Sequence, residues 1–216
     1  MHDLIYEASD PPLGVTFEVA GGHYSGEVHP GSLFLQTDIS APPTVRWSAA
    51  RVDTLHTMLM LDFDGNARGS WPDVVPEGTN SPVRHWIVGN ISGTLLGGSG
   101  YSESVVPGGP DQPTVVQPYR PPHIPVISDR YALYLFPQTE QLEFSRIDGP
   151  VTNFDHVAFL RKYQLGAPVA SNWFVAVYTS ESPFSGKPFH GNDVSAVWHR
   201  SPGPGALRPV SPHSFS

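Results

Sequence analysis

Thr57-Met58-Leu59-Met60-Leu61 runs straight into Asp62-Phe63-Asp64, and His85-Trp86-Ile87-Val88-Gly89-Asn90-Ile91 follows after a polar stretch. Both apolar runs have the length of a strand and are bounded by charged or turn residues. Tyr131–Phe136 (YALYLF) and Trp173–Tyr178 (WFVAVY) share that pattern. Such runs point to buried core strands. Weaker alternation at Val15–Val19 and a short run at Leu33–Leu35 put further strands at a sheet edge or in a second sheet. Gly21-Gly22 between them is suited to a turn.

Composition agrees. The chain of 216 residues holds 24 Pro and 21 Gly, which excludes a helix bundle or coiled coil, because both residues are costly inside helices. At 39% hydrophobic and 11% aromatic it can still close a core. The expectation is a globular, loop-rich, mostly β protein. A net charge of −8 without a basic block speaks against a nucleic-acid partner and against a polybasic membrane anchor. The absence of Cys excludes disulfides, thiolate metal sites and cysteine nucleophiles. No apolar run approaches the roughly 20 residues of a transmembrane segment. The first residues lack a signal-peptide pattern, so a cytoplasmic location is expected.

One segment reads as a helix, with Thr152 or Asn153 as N-cap, Asp155 in the first turn, and Val157 and Leu160 at helical spacing. Arg161 and Lys162 suit its last turn, Gly166 its left-handed C′ position, and Pro168 blocks continuation. Gly65–Pro82 and Gly97–Pro125 read as long irregular loops. Residues 1–200 are expected to form a single domain, and the Pro/Ser-rich stretch 201–216 a disordered tail.

Asp62 and Asp64 stand at i and i+2 after a strand, so on extended backbone their side chains point the same way. As bare residues they fit a solvated strand end. The run also resembles the first motif of haloacid-dehalogenase-type phosphatases, but the Lys, second acidic pair and helices that family needs do not follow. The spacing of Gly65 and the missing Glu exclude an EF-hand loop.

The wider context resembles the phosphatidylethanolamine-binding protein family. Its first signature is an acidic DPDAPS cluster, a loop, then H-[FW] opening a strand that ends x-N. Here Asp62-Phe63-Asp64 and His85-Trp86-Ile87-Val88-Gly89-Asn90 match it. Pro121-Pro122 and Asp129-Arg130-Tyr131 occupy the place of the second signature. Phe159 to Ala170 (FLRKYQLGAPVA) resembles the family's helix and turn, and Pro43–Trp47 fits upstream. The resemblance implies an antiparallel β-sandwich, a large central sheet plus a smaller one, with a few peripheral helices. It also implies a small pocket at one end of the large sheet, formed by Asp62, Asp64 and His85, with Tyr131 and the Pro121-Pro122 loop opposite. Three departures stand out: the acidic cluster has lost its prolines, Asp129 replaces a second pocket histidine, and Arg120 replaces a glycine.

The implied function is a non-enzymatic binding protein without cofactor or metal, taking a small anion or a phospholipid headgroup of phosphate or phosphoethanolamine type. A carboxylate beside His85 is expected to raise its pKa and favour the charged form. The alternative is a regulator of a protein partner, a kinase or protease, with a degenerate pocket and with Tyr101, Val105, Val106 and Tyr119 as loop anchors. No G-x-S-x-G elbow, HExxH, P-loop or dinucleotide fingerprint is present to support an enzyme. Asn90-Ile91-Ser92 matches a glycosylation sequon by chance, inside an expected core strand.

Overall fold

The computed structural model describes residues 9–19, 26–62, 82–104, 112–122 and 128–177. In chain order these form β1 (Gly14–Thr16), β2 (Ser32–Leu35), a 3₁₀ turn (Gln36–Ile39), β3 (Thr44–Arg46), β4 (Leu55–Asp62) and β5 (Val83–Ser92). Then come α1 (Gly93–Gly97), β6 (Thr114–Gln117), β7 (Ser128–Gln138), α2 (His156–Lys162) and β8 (Ala170–Val177). A six-stranded sheet has the order β2-β8-β7-β4-β5-β6, and β1 and β3 pair as a separate two-stranded sheet. Pairing is antiparallel except at one edge, where β2 runs parallel to β8.

The four apolar runs became β4, β5, β7 and β8, and each lies inside the large sheet. Their lack of hydrophobic alternation has a direct cause: both faces are covered. On the first face Met58, Met60, Trp86, Tyr131, Leu133 and Phe174 pack with Val15, Phe17 and Val45 of the small-sheet layer. On the second, Leu59, Leu61, Ile87, Tyr134 and Phe136 pack with Phe154, Phe159 and Tyr163 of the α2 layer. Each fully buried side chain of this size contributes about 1.5–3 kcal/mol.

Several local expectations shift. Asp155, not Thr152 or Asn153, caps α2, its carboxylate accepting from the Ala158 N–H at 2.8 Å. The helix ends earlier than Gly166, with Gln164 taking the left-handed position at φ 52°. The Gln164 N–H donates to the Arg161 carbonyl and the Leu165 N–H to that of Leu160, the Schellman pattern. Two late carbonyls are thereby satisfied, which offsets the cost of holding a non-glycine residue in that region. The stretch Gly97–Pro125 is not uniformly irregular, because Thr114–Gln117 adds β6 at the sheet edge. Missed as well was α1, which Ser92 caps through the Leu95 N–H. Gly21-Gly22, Tyr178, most of Gly65–Pro82 and the tail 201–216 lie outside the described residues.

Candidate functional site

β4 ends where β5 and β7 begin, so Asp62, His85, Asp129 and Tyr131 reach the same end of the large sheet. Asp62 pairs in register with Tyr131, so their side chains leave the same face. Strand alternation puts Asp129, two positions before Tyr131, on that face too. Asp62 and Asp129 are buried, at 3% and 2% exposure. Of the expected set, Asp64 lies outside the described residues.

His85 joins this group through a β-bulge. Met60 pairs with Trp86 and Leu61 with Arg84, leaving His85 as the extra residue on β5. Its ring meets that of Tyr131 edge to face at 5.0 Å between centroids. Tyr131 in turn stacks on Phe174 of β8 at 5.4 Å. The imidazole is therefore fixed by an aromatic wall that spans three strands.

The segment leading to Pro121-Pro122 is tied to the same histidine. The Arg120 N–H donates to the His85 carbonyl at 2.8 Å, and His85 Nδ1 lies 2.9 Å from the Arg120 carbonyl. A carbonyl can only accept, so Nδ1 carries the proton. Burial, the largest influence, pushes the His85 pKa down to about 4; the bond to the Arg120 carbonyl opposes this and the Arg120 charge adds to it. The expectation of a raised pKa is therefore corrected. Removal of the ring from water outweighs its neighbours, and the imidazole is neutral near pH 7. In that tautomer Nε2 is an acceptor. Arg120 and Pro121 are exposed and Pro122 is buried, so the segment has a solvent rim and an anchored base.

Glu103 was not singled out from the sequence. Its carboxylate accepts from Trp86 Nε1 at 2.7 Å and from the Tyr119 N–H at 2.9 Å. It thus clamps the Pro118–Pro122 approach to the residue next to His85. Tyr119 donates its hydroxyl to the Ile39 carbonyl at 2.7 Å, and Tyr101, 1% exposed, stacks on Trp86. Neither tyrosine is a free anchor for a partner, contrary to the loop reading, and Val105 and Val106 lie outside the described residues. A lone Glu in a Ser/Gly-rich stretch carries no local signal for such a clamp.

Asn90 serves the framework. Its Nδ2 donates to Thr114 Oγ1 and the Leu142 carbonyl, and its Oδ1 accepts from Gln138 Nε2. Buried and bonded on both sides, its amide is not available for glycosylation. Among the described residues no group of three His, Asp or Glu side chains could hold a metal ion. No helix among them is long and apolar enough to cross a membrane.

No family model matches the chain. A curated Drosophila melanogaster protein named "Putative odorant-binding protein A5" is 26% identical over 176 residues, covering 76% of this chain and 72% of that protein. Among solved structures, a phosphatidylethanolamine-binding protein from Plasmodium vivax superposes with a TM-score of 0.54 at 14% identity, over 77% of this chain and 85% of that one. A carboxypeptidase Y inhibitor, solved in complex with its cognate proteinase, gives 0.53 at 16% identity over 77% and 83%. The Plasmodium falciparum phosphatidylethanolamine-binding protein gives 0.50 at 19% identity over 76% and 83%. The chain adopts the fold of the phosphatidylethanolamine-binding proteins, and its motif segments make it similar to a divergent member of that family.

Proposed function

We propose that the end of the large sheet around His85 recognises a small zwitterionic headgroup of phosphoethanolamine type, and that the chain is a binding protein rather than an enzyme. The observation that carries this reading is the spent Nδ1 of a neutral His85. With that proton committed to the Arg120 carbonyl, Nε2 offers a lone pair and asks for a donor. An ammonium group supplies one; a bare phosphate dianion does not. Asp62 and Asp129 at the same sheet end bring carboxyl oxygens, which are acceptors for an ammonium and offer a phosphate nothing. Arg120, exposed at the rim, suits the phosphate end. Ammonium inward and phosphate outward is the arrangement in which each charge meets its opposite. The name of the fly relative, which speaks of odorant binding, favours a small-molecule binder in the same way.

The test is a titration followed through the His85 ring and Tyr131 signals by NMR. Phosphoethanolamine at millimolar concentration is expected to shift both, ethanolamine to shift them less, and inorganic phosphate least. Arg120→Ala should weaken phosphoethanolamine and leave ethanolamine unchanged. Silence at both residues with all three compounds would refute the reading, as would phosphate binding best.

Likeness to a carboxypeptidase inhibitor favours a second reading, an inhibitor of a protease partner. Inhibition of a carboxypeptidase by the full chain, retained in His85→Gln, would establish it independently of the headgroup site.

A further inference from the structure

The opposite face of the same strand end carries a cavity. It has a volume of about 490 Å³ and lies between the start of β5, the 145–155 segment and α2, within the range of small-molecule sites. Its floor is aromatic: Phe154, Phe159 and Tyr163 are each less than 10% exposed, and Phe159 lies 5.6 Å from Phe154 and 4.9 Å from Tyr163 between ring centroids. Backbone bonds from Arg84 N–H to the Val151 carbonyl and from Phe154 N–H to the Pro82 carbonyl hold this wall against β5.

At one side of the floor stands Arg84, only 4% exposed. Among the described residues its guanidinium is held by neutral oxygens alone. Nε donates to Gln117 Oε1 at 3.0 Å, and Nη2 to the carbonyls of Gly149 at 3.0 Å and Ile147 at 3.3 Å. The group also lies over the Phe154 ring at 5.7 Å. No carboxylate pairs with it and no acceptor takes Nη1 among the described residues. A buried cation satisfied only by dipoles retains much of its desolvation cost, and burial, with the Arg120 charge, lowers its pKa. Of the acids lining the cavity, Asp155 caps α2 and Asp148 is exposed at the rim, 3.9 Å from Arg146, which lines the cavity as well. Lys162, over the Tyr163 ring at 5.0 Å, adds a further cation at the rim.

We propose that this cavity binds a small amphiphilic carboxylate, its acid group on Arg84 Nη1 and its aromatic or acyl part on Phe154 and Phe159. The two features select together. An inorganic anion forgoes the aromatic floor, and a neutral apolar molecule leaves the guanidinium without a counter-ion. This site faces away from His85 and does not depend on the headgroup reading.

The probes are 2-naphthoate and decanoate, with their primary amides and inorganic phosphate as controls, titrated into the full chain by NMR. The acids are expected to shift Arg84, Phe154, Phe159 and Lys162, and the amides to bind about tenfold more weakly, the usual worth of a charge-assisted bond. Arg84→Met should lose the preference for acid over amide. Because Arg84 also ties Gln117 to the 147–149 backbone, a second variant guards against misfolding. Ala158→Trp, at an exposed position lining the cavity, should fill it and abolish binding while His85 and Tyr131 signals stay in place. Amides binding as well as acids, phosphate competing equally, unaltered binding in Ala158→Trp, or shifts confined to His85 and Tyr131 would each overturn the proposal.

Discussion

His85→Gln tests how the site is charged. The native imidazole has its pKa at about 4 against 6.5 for the free side chain, so the folded protein is the poorer proton acceptor. As pH falls below 6.5 the unfolded chain takes up a proton that the native state refuses until about pH 4. Stability is therefore lost on acidification, at up to about 1.4 kcal/mol per pH unit. The loss from this residue reaches about 3 kcal/mol by pH 4. Glutamine can still donate an N–H to the Arg120 carbonyl but does not titrate. Buried His56, also lowered chiefly by burial, destabilises in the same direction, yet it and the carboxylates cancel in the difference between wild type and variant. Urea unfolding followed by tryptophan fluorescence, run at steps from pH 7 to pH 4, measures that difference. It should move by about 3 kcal/mol in favour of the variant. A difference constant across the range would refute the reasoning, as would an imidazole titrating near 6.5 by NMR.

Other substitutions probe the framework. A Cβ at Gly89 would lie 1.9 Å from the Phe144 ring, so Gly89→Ala should cost about 1–3 kcal/mol in urea unfolding, with Phe144→Leu in the same chain restoring part of it. Glu103→Ala removes the single oxygen, Oε2, that accepts from both Trp86 and Tyr119, and by calorimetry should weaken phosphoethanolamine while costing about 1–3 kcal/mol of stability. Asp155→Ala removes the α2 cap and should lower stability by about 1 kcal/mol by denaturant titration. Gln164→Gly relieves a left-handed residue and should raise it by up to about 1 kcal/mol, seen as a higher Tm.

The central strands were legible for the same reason that they are central. Covered on both faces, β4, β5, β7 and β8 carry unbroken apolar runs, and a run of that length between turn residues admits few other structures. β6 was not legible, because four residues between Pro113 and Pro118 pair with one neighbour at an edge and need no apolar pattern. α1, five residues bracketed by glycines, falls below any periodicity signal. At the site, motif spacing brought Asp62, His85, Asp129 and Tyr131 to one end of the sheet, but it carried no information on burial. That omission reversed the sign of the His85 shift: a shared sheet end suggested a carboxylate partner and a raised pKa, whereas the depth of the ring is the largest influence and no acid is among the causes. The clamp by Glu103 lay equally out of reach, since its partners Trp86 and Tyr119 are distant along the chain and the bonds exist only once the sheet has formed.

The bulge at His85 is the step that joins the two faces. On a regular strand, alternation from Trp86 would send His85 to the face of Ile87 and Arg84 to the face of Trp86. The extra residue opposite Met60 and Leu61 breaks that alternation. His85 then meets Tyr131 on the first face, while Arg84 crosses to the second and lies over Phe154. That stretch of β5 thus presents a neutral acceptor to one surface and, to the other, a guanidinium with no carboxylate partner among the described residues. The burial of both is what tunes them, lowering the proton affinity of the first and leaving the second in want of an anion. Deleting His85, the extra residue, should leave Trp86 opposite Met60 and Arg84 opposite Leu61, so the first surface loses its imidazole while the guanidinium keeps its face. In a folded deletion variant, NMR titration should show phosphoethanolamine binding lost and 2-naphthoate binding retained; loss of both would refute this account of the register.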